Sequence, residues 1–236
     1  IRLAKDFFEV MGAFRDRCLV WVSVPCTGGC GLQRINSRTV RGYFRKLWNR
    51  VQRIAAKART ARSKNAVEWP CGCIFWHHQR VCTFEKYMQA QRADSDGCRF
   101  GCVSVFSKPG TPMLKPWRIS TVCSTLFSAF DSIKCTGSHS HVSCRGRDCK
   151  ITEEYTFQMV GTIHTAWNYH CNEHPYLAEC STTRIMPLAK FPRNVSSEPA
   201  RVIIESLTLA VFRHRAVSES NTVGLLFTHL VLSVDD

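Results

Sequence analysis

The clearest pattern in the chain is a stripe of apolar residues at helical spacing between residues 40 and 58. Its members follow one another at steps of four, three, four, three and four residues: Val40, Phe44, Leu47, Val51, Ile54 and Ala58. Because an α-helix has about 3.6 residues per turn, this spacing places these side chains on one side of the helix. The stripe therefore predicts an amphipathic helix that packs on a core.

Two apolar runs on either side of this helix predict strands. Residues 19–24 (Leu-Val-Trp-Val-Ser-Val) are largely β-branched or bulky, and Pro25 ends the run. Residues 65–70 (Asn-Ala-Val-Glu-Trp-Pro) form the second run, which Pro70 stops. Short apolar runs bounded by Pro and Gly are typical of buried strands. A strand, a helix and a strand in this order indicate an α/β fold.

The same patterns predict shorter helices and strands elsewhere in the chain. The helices are expected over residues 3–14, 78–91, 123–131 and 152–167. The strands are expected over residues 103–106 and 115–121, with a loop at 108–112 between them. Thr152 is the expected N-cap of its helix, because two acidic residues follow it in the first turn.

The segment after residue 181 has a different composition. Residues 186–199 are rich in Pro and predict a linker. Two apolar runs follow it, of which residues 201–213 fit a helix or a strand and residues 222–234 fit a strand. We expect three parts: an α/β domain over 1–131, a Cys/His-rich element with a helix over 132–181, and a tail over 182–236.

The charge balance is strongly positive, since 32 Lys and Arg residues against 18 Asp and Glu residues give a net charge of +14 and a pI near 9.4. This favours a polyanionic partner, most simply nucleic acid, with solubility or membrane contact as alternatives. Residues 34–64 hold 11 Lys and Arg residues and no acid, whereas a solvated helix usually mixes both signs. The expected phosphate contacts are Arg38, Arg41, Arg45, Arg50, Arg53 and Lys57.

The cysteines and the start of the chain bear on its compartment. The chain has 14 cysteines and nine histidines, and residues 1–6 (Ile-Arg-Leu-Ala-Lys-Asp) lack the apolar segment of a signal peptide. No apolar run approaches the roughly 18 residues of a transmembrane helix. We therefore expect an intracellular protein, nuclear or cytoplasmic and not secreted, with reduced thiols. Because the first residue is Ile rather than Met, we expect a fragment of a longer protein.

The densest set of metal-ligand side chains lies between residues 135 and 149. The candidate ligands are Cys135, His139, His141 and Cys144, and zinc is the expected ion because it binds Cys and His in tetrahedral sites. His139 and His141 are only two residues apart, so we expect both on one ion to be cramped. A zinc held by Cys135, one histidine, Cys144 and a later ligand is sterically easier. The later ligands available are His170, Cys171 and His174. The alternative is a surface loop that holds no metal.

A cysteine directly follows the first predicted strand. Cys26, in the string Pro-Cys-Thr-Gly-Gly-Cys, lies where α/β proteins place their chemistry, beyond the carboxyl end of a strand. The alternative is one more buried thiol. Two further polar residues follow in order along the chain: Glu68 in Glu-Trp-Pro and Arg118 in Lys-Pro-Trp-Arg-Ile.

This ordered set of motifs resembles the catalytic half of cytosine-C5 DNA methyltransferases over residues 18–121. The resemblance implies a partial Rossmann-like methyltransferase sheet, DNA as the partner and S-adenosylmethionine as the methyl donor. The Cys/His-rich segment described above would follow this sheet as a zinc-binding C-terminal extension. It implies that the Cys26 thiolate adds to C6 of the cytosine ring. Glu68 would bond N3 of the base and Arg118 would hold its O2 edge, after the base has left the duplex.

The chain departs from this family at three points. Thr27 follows the Pro-Cys pair where the family usually has Gln, and Trp69 follows Glu68 where it has Asn. The Gly-rich loop that binds the methyl donor should precede the Pro-Cys strand, but the 18 residues before Leu19 contain a single Gly12. We therefore expect a partial or inactive relative of the family.

A second resemblance rests on short strings. Pro-Cys-Thr-Gly-Gly-Cys, Lys-Pro-Trp-Arg-Ile and Cys-x-Gly-Ser-His-x-His look like uncharacterised reading frames in retroelement-rich genomes of dinoflagellate algae. Those frames carry no assigned activity, so this resemblance implies no chemistry. Three hypotheses follow: a methyltransferase-like protein, a non-enzymatic zinc-stabilised nucleic-acid-binding protein of a mobile element, and a decayed element without function.

Overall fold

The computed structural model describes residues 18–23, 26, 29, 37–152, 155–173, 207–213 and 228–232 of the chain. The helix predicted over residues 3–14 and the linker predicted over residues 186–199 lie outside these ranges. None of the helices within them combines the length and the apolar character that a membrane crossing requires.

The described strands form one mixed sheet of six strands in the order β3-β4-β2-β1-β5-β6. β1 and β2 are parallel, and the other neighbouring pairs are antiparallel. The strands are β1 (Cys18–Ser23), β2 (Lys64–Pro70), β3 (Gln91–Asp96), β4 (Pro116–Thr121), β5 (Leu207–Arg213) and β6 (Thr228–Leu232). The predicted α/β class is confirmed, and β1, β2 and β4 correspond to three of the predicted strands.

The described α-helices lie between these strands. They are α1 (Ser37–Thr60), α2 (Gln79–Met88), α3 (Ser124–Phe130), α4 (Gly146–Ile151) and α5 (Phe157–Glu173). α1 connects β1 to its parallel neighbour β2, as a parallel pair requires a crossover connection. Two 3-10 turns, Ile74–His77 and Gly97–Phe100, precede α2 and follow β3 respectively.

The sheet is buried on both faces, and this explains the apolar run of β1. Val20 and Trp69 lie in the core that the sheet forms with α1 and α2. Leu19 and Trp21 lie in a second core with α3 and α5 on the opposite face. Because alternate residues of a strand point to opposite faces, consecutive apolar residues of β1 fill both cores. The apolar stripe of α1 is confirmed from Phe44 onward: Phe44, Leu47, Val51, Ile54 and Ala58 are buried.

Two sequence predictions around residue 100 differ from the structure. β3 has no predicted counterpart, because its residues Gln-Arg-Ala-Asp-Ser-Asp carry no apolar alternation. The strand predicted over residues 103–106 is wrong. Only an isolated bridge joins Val103 to Pro112, and the amides of residues 105–107 donate to the Asp148 carboxylate instead. A side chain therefore satisfies the backbone groups that a strand would have paired.

The start of α5 also differs from the prediction. The helix begins at Phe157, beyond the predicted cap Thr152. The Met159 amide donates to the hydroxyl of Thr156 at 3.2 Å, so Thr156 is the N-cap. The apolar side of the helix is confirmed, since Met159 and Trp167 are buried.

The two C-terminal strands extend the sheet beyond β1. β5 pairs with β1 and β6 pairs with β5, so the apolar runs predicted over 201–213 and 222–234 contain strands. Helix α5 packs into the same core as residues of β1. The division into parts over 1–131, 132–181 and 182–236 stays a prediction, and described elements from all three parts join this sheet and its cores.

Candidate metal centre and nucleic-acid interface

Four side chains with metal-ligand atoms converge at one end of β3. Cys98 comes from the 3-10 turn after β3, and Cys135, His139 and His141 come from the loop that follows α3. The four ligand atoms all lie within 4.8 Å of one another. Three of the side chains are half-buried and His141 is exposed. Among the residues that the structure describes, this Cys2His2 set is the one group with enough converging ligand atoms to hold a metal ion.

The distances in this group match the geometry of a tetrahedral ion. The Cys135 sulfur lies 3.6 Å from Nε2 of His139 and 3.5 Å from Nε2 of His141. In a tetrahedral zinc site with bonds of about 2.3 Å to sulfur and about 2.05 Å to nitrogen, the sulfur–nitrogen edge is about 3.6 Å. The two imidazoles therefore present their nitrogens at the separation from Cys135 that a shared ion would impose.

The backbone around the centre is shaped by two glycines. Gly97 has no room for a side chain, because a Cβ there would lie 2.9 Å from the carbonyl oxygen of Lys115. Gly137 has a φ of +75°, which turns the chain between Cys135 and His139, and its amide donates to the Cys135 sulfur at 3.3 Å. This turn brings both histidines back toward Cys135.

The buried carboxylate of Asp96 holds the backbone of Cys135 in place. The Cys135 amide donates to Oδ2 of Asp96 at 2.8 Å, and the Lys134 ammonium lies 3.8 Å from the other oxygen. Asp96 ends β3, so the sheet itself positions the ligand loop. Burial raises the pKa of the Cys98 thiol to about 11, with a further contribution from the adjacent Cys135 thiol. A metal ion that binds there must displace the proton of Cys98.

The structure brings three of the four predicted ligands together, Cys135, His139 and His141. Cys144 lies outside the group, because its sulfur contacts the Thr152 hydroxyl at 3.3 Å. Cys98, which sequence spacing does not indicate, is the fourth member of the group. His139 and His141 both belong to the group, whereas one of them was expected to be excluded by crowding. Of the later ligands, His170 and Cys171 are not in this group, and His174 lies outside the described residues.

Helix α1 carries the predicted basic surface. Its buried stripe directs the charged residues outward, and Arg45, Arg53 and Lys57 are exposed while Arg50 is half-buried. Arg38 and Arg41 lie on the first turns of the same helix, and their side chains are outside the described set. Further exposed cations on α1 and α2 are Lys46, Arg59, Arg80 and Lys86.

The residues of α1 and α2 that the structure describes add no exposed acid to this surface. Between residues 37 and 93 the acids are Glu68 and Glu85, and both are buried. Glu85 is already paired, because its carboxylate accepts from the Arg92 guanidinium at 2.8 Å. Arg80 donates to the Asn49 amide oxygen at 2.9 Å, which links α2 to α1. The helix layer on this face therefore presents cations from two helices.

Cys26 and Glu68 lie at the same end of the parallel strand pair. Ser23 is the register partner of Glu68, and Cys26 follows three residues later. The Gly29 amide donates to the Cys26 carbonyl at 2.7 Å, and the Ile74 amide donates to the Gly29 carbonyl at 2.8 Å. The Pro-Cys loop is thereby attached to the segment after β2, and Cys26 is half-buried against the core on the α1 face.

Glu68 belongs to a buried hydrogen-bond network on the opposite face. Its Oε2 accepts from the Tyr155 hydroxyl at 2.7 Å and from the Ser23 hydroxyl at 3.0 Å. The Tyr155 oxygen in turn accepts from Nε1 of Trp21 at 2.9 Å. Burial raises the pKa of the Glu68 carboxyl, although both hydrogen bonds and the charge of Lys115 oppose the shift. Sequence reasoning missed Tyr155 and Ser23, since neither stands in a motif.

Arg118 pairs with Asp94 and not with Glu68. Its guanidinium donates two hydrogen bonds to Asp94, at 2.6 and 2.7 Å, and lies over the ring of Trp76. These contacts lie on the face of the sheet that packs against α1 and α2. The structure therefore brings Cys26 and Glu68 to one strand end and does not bring Arg118 to Glu68.

Comparison with known proteins gives no match: no protein-family model, no curated protein and no solved structure matches this chain.

Proposed function

We propose that this chain is a non-enzymatic nucleic-acid-binding protein stabilised by zinc. The observation that carries the proposal is the convergence of Cys98, Cys135, His139 and His141 with spacing suited to a tetrahedral ion. Zinc is the ion this donor set favours, because two thiolates and two imidazoles form its common structural sites. With four protein ligands, no coordination position remains for a substrate, and this favours a structural role.

The position of the centre supports that role. Residues 136–141 contribute little to either hydrophobic core, and most of them are exposed. An ion at Cys98 would join this loop to the end of β3. A closed metal site supplies folding free energy where a short segment cannot bury enough apolar surface.

The basic surface of α1 and α2 supports a nucleic-acid partner. A surface with many cations and no exposed acid attracts phosphate backbones and releases their counterions, so binding depends steeply on salt. Guanidinium groups such as Arg45 and Arg53 suit phosphates because they donate paired hydrogen bonds. DNA is the proposed partner.

Metal analysis of the purified protein tests the centre. We expect about one zinc per chain in the wild type and in Cys144→Ser, whose thiol lies outside the group, and a large loss of zinc in Cys98→Ser. Equal metal content in both variants, or none in the wild type, would contradict the assignment. This pair of variants separates Cys98 from the cysteine that spacing alone suggested.

Salt-dependent DNA binding tests the surface. We expect the double variant Arg53→Gln/Lys57→Gln to weaken binding to duplex DNA and to reduce the slope of log K against log salt by about one to two. The control Thr165→Asp/Asn172→Asp on α5 lowers the net charge equally but lies outside the basic surface. Equal losses in both double variants would mean that net charge, and not this surface, governs binding.

A second proposal is a methyltransferase-like protein that is partial or inactive as given. The observation favouring it is that Cys26 and Glu68 share the carboxyl end of a parallel β-α-β unit, as in a Rossmann-like sheet. It would require S-adenosylmethionine as donor and release of Arg118 from Asp94. Covalent trapping on DNA containing 5-fluorocytosine tests it. With S-adenosylmethionine present, trapping that is lost in Cys26→Ala would support a catalytic Cys26, and no trapping by the wild type would exclude an active methyltransferase.

A further inference from the structure

We propose that the loop over residues 103–108, together with Arg147, is a stacking platform for the bases of single-stranded nucleic acid. The proposal rests on the proposed nucleic-acid function and specifies its substrate class. The loop lies between the turn that holds Cys98 and strand β4, outside the basic helix layer of α1 and α2. It therefore adds a second contact of different chemistry.

The loop presents large apolar side chains to solvent. Val105 is 48 % exposed, Phe106 is 40 % exposed and Val103 is 38 % exposed. Single exposed apolar residues are ordinary on protein surfaces, but a group on one loop marks an interaction site. An aromatic ring among them supplies a flat face for stacking.

The loop is held rigidly by a single buried carboxylate. Asp148 accepts hydrogen bonds from the Ser104 hydroxyl at 2.8 Å and from the amides of Val105, Phe106 and Ser107 at 2.8, 2.9 and 3.0 Å. These hydrogen bonds hold the pKa of Asp148 well below its usual range, so the anchor stays ionised. A loop fixed in advance loses little conformational entropy when it binds a partner.

The residue before this anchor completes the platform. The Arg147 guanidinium lies 3.9 Å from the centre of the Phe106 ring. Because Arg147 and Asp148 are adjacent on α4, the helix that fixes the loop also places the cation on the aromatic ring. A guanidinium stacked on a ring presents its own planar face, on which a nucleobase can stack.

The charge around the platform fits a polyanion. Lys108, Arg145 and Arg147 are exposed, and the sequence contains no acid between residues 97 and 130. Paired bases in a duplex already stack on one another, so a protein ring can reach a base face mainly in single strands. Stacked aromatic and arginine groups beside a positively charged path are the usual composition of single-strand binding sites.

Binding of fluorescent oligonucleotides to the full chain tests the platform. We expect Phe106→Ala to bind single-stranded homopolymers of thymidine and of uridine about 10-fold more weakly than the wild type, the contribution of one stacked base. Binding to duplex DNA and to an abasic single strand of equal length should change by less than twofold. Phe106→Trp should restore binding, because it keeps an aromatic face.

Phe157→Ala is the matched control. Phe157 is 97 % exposed at the start of α5 and lies outside the loop, so its removal deletes an exposed ring without touching the platform. Thermal melting of each variant would verify that the fold is retained. We expect Phe157→Ala to bind every oligonucleotide as the wild type does. The thymidine and uridine oligomers distinguish a DNA preference from an RNA preference at the same platform.

Different results would contradict the stacking platform and the proposed nucleic-acid binding. If Phe106→Ala binds single strands as the wild type does while Arg53→Gln/Lys57→Gln weakens all binding, the platform is wrong and the basic surface stands. If Phe106→Ala loses only binding to vesicles of anionic phospholipid, the loop is a membrane contact and the platform is wrong. If the wild type binds no oligonucleotide, the proposed function itself fails.

Discussion

Glu68 and Arg118 lie on opposite faces of the sheet although their strands are neighbours. Glu68 pairs with Ile119 in the antiparallel ladder between β2 and β4, and Trp69 pairs with Arg118. Residues directly opposite each other share a face, and the next pair points to the other face. One step in register therefore separates a carboxyl group beside Tyr155 from a guanidinium beside Trp76. A single base could not contact both without rearrangement of the sheet.

The Asp94–Arg118 pair is expected to stabilise the fold. Both side chains are partly buried, with 30 % and 21 % of their surfaces exposed, and their contact is bidentate. We expect Asp94→Asn to lower the free energy of unfolding by about 1 kcal/mol. A double-mutant cycle with Arg118→Gln, measured by urea unfolding, isolates the pair. A coupling free energy near zero would show that the two side chains act independently.

The same pair predicts a loss of stability in acid. The hydrogen bonds from Arg118 lower the pKa of the Asp94 carboxyl below 3.8, its value in an unfolded chain. The unfolded state therefore takes up protons first as the pH falls, and the contribution is lost between pH 3.8 and the lower folded pKa. The difference in stability between wild type and Asp94→Asn should shrink across that window. A constant difference from pH 7 to pH 2 would contradict this origin.

Glu68 should have the opposite pH dependence. Burial raises its pKa above 4.5, so above pH 4.5 the folded state holds a proton that the unfolded state has released. Stability then falls as the pH rises from 4.5 to the folded pKa. Glu68→Gln does not titrate, and its free energy of unfolding relative to the wild type should increase over that range. Urea unfolding at pH 4.5, 6 and 7.5 checks the trend, and a trend of opposite sign would mean that Glu68 is stabilised as a carboxylate.

Two glycines should respond to alanine in opposite ways. A Cβ at Gly29 would lie 2.7 Å from the Cys73 sulfur and 2.7 Å from the ring of Phe75, whereas a Cβ at Gly42 in α1 meets nothing within 4 Å. We expect Gly29→Ala to destabilise the protein by about 1–3 kcal/mol through overpacking. Gly42→Ala should stabilise it by about 0.5–1 kcal/mol, because alanine favours the helix. Thermal melting of both variants tests these expectations. An unchanged melting temperature for Gly29→Ala would mean that the Pro-Cys loop does not pack on Phe75.

The sequence predicts the elements that a hydrophobic pattern defines. The apolar runs predict β1 and β2, and the apolar stripe predicts α1. In each case the spacing of neighbouring residues in the chain is enough to indicate which side chains are buried. Strand β3 and the Cys98 ligand do not follow, because residues 91–98 carry no apolar pattern and Cys98 meets Cys135 only through the tertiary fold. The separation of Glu68 from Arg118 depends on strand register, which a list of motifs in chain order does not contain. Motif order therefore predicted Cys26 and Glu68 at one strand end but not the position of Arg118.

Removal of the metal should reveal how much the centre contributes to the fold. A chelator such as EDTA should lower the melting temperature of the wild type by about 10 °C, because a structural site supplies several kcal/mol to a domain of this size. Cys98→Ser should melt at the chelated temperature and respond little to the chelator. Cys144→Ser should behave as the wild type, since its contact is with Thr152. Added zinc should restore the wild type and Cys144→Ser but not Cys98→Ser. Equal melting of all three proteins with and without chelator would mean that Cys98 and the 135–141 loop hold together without an ion.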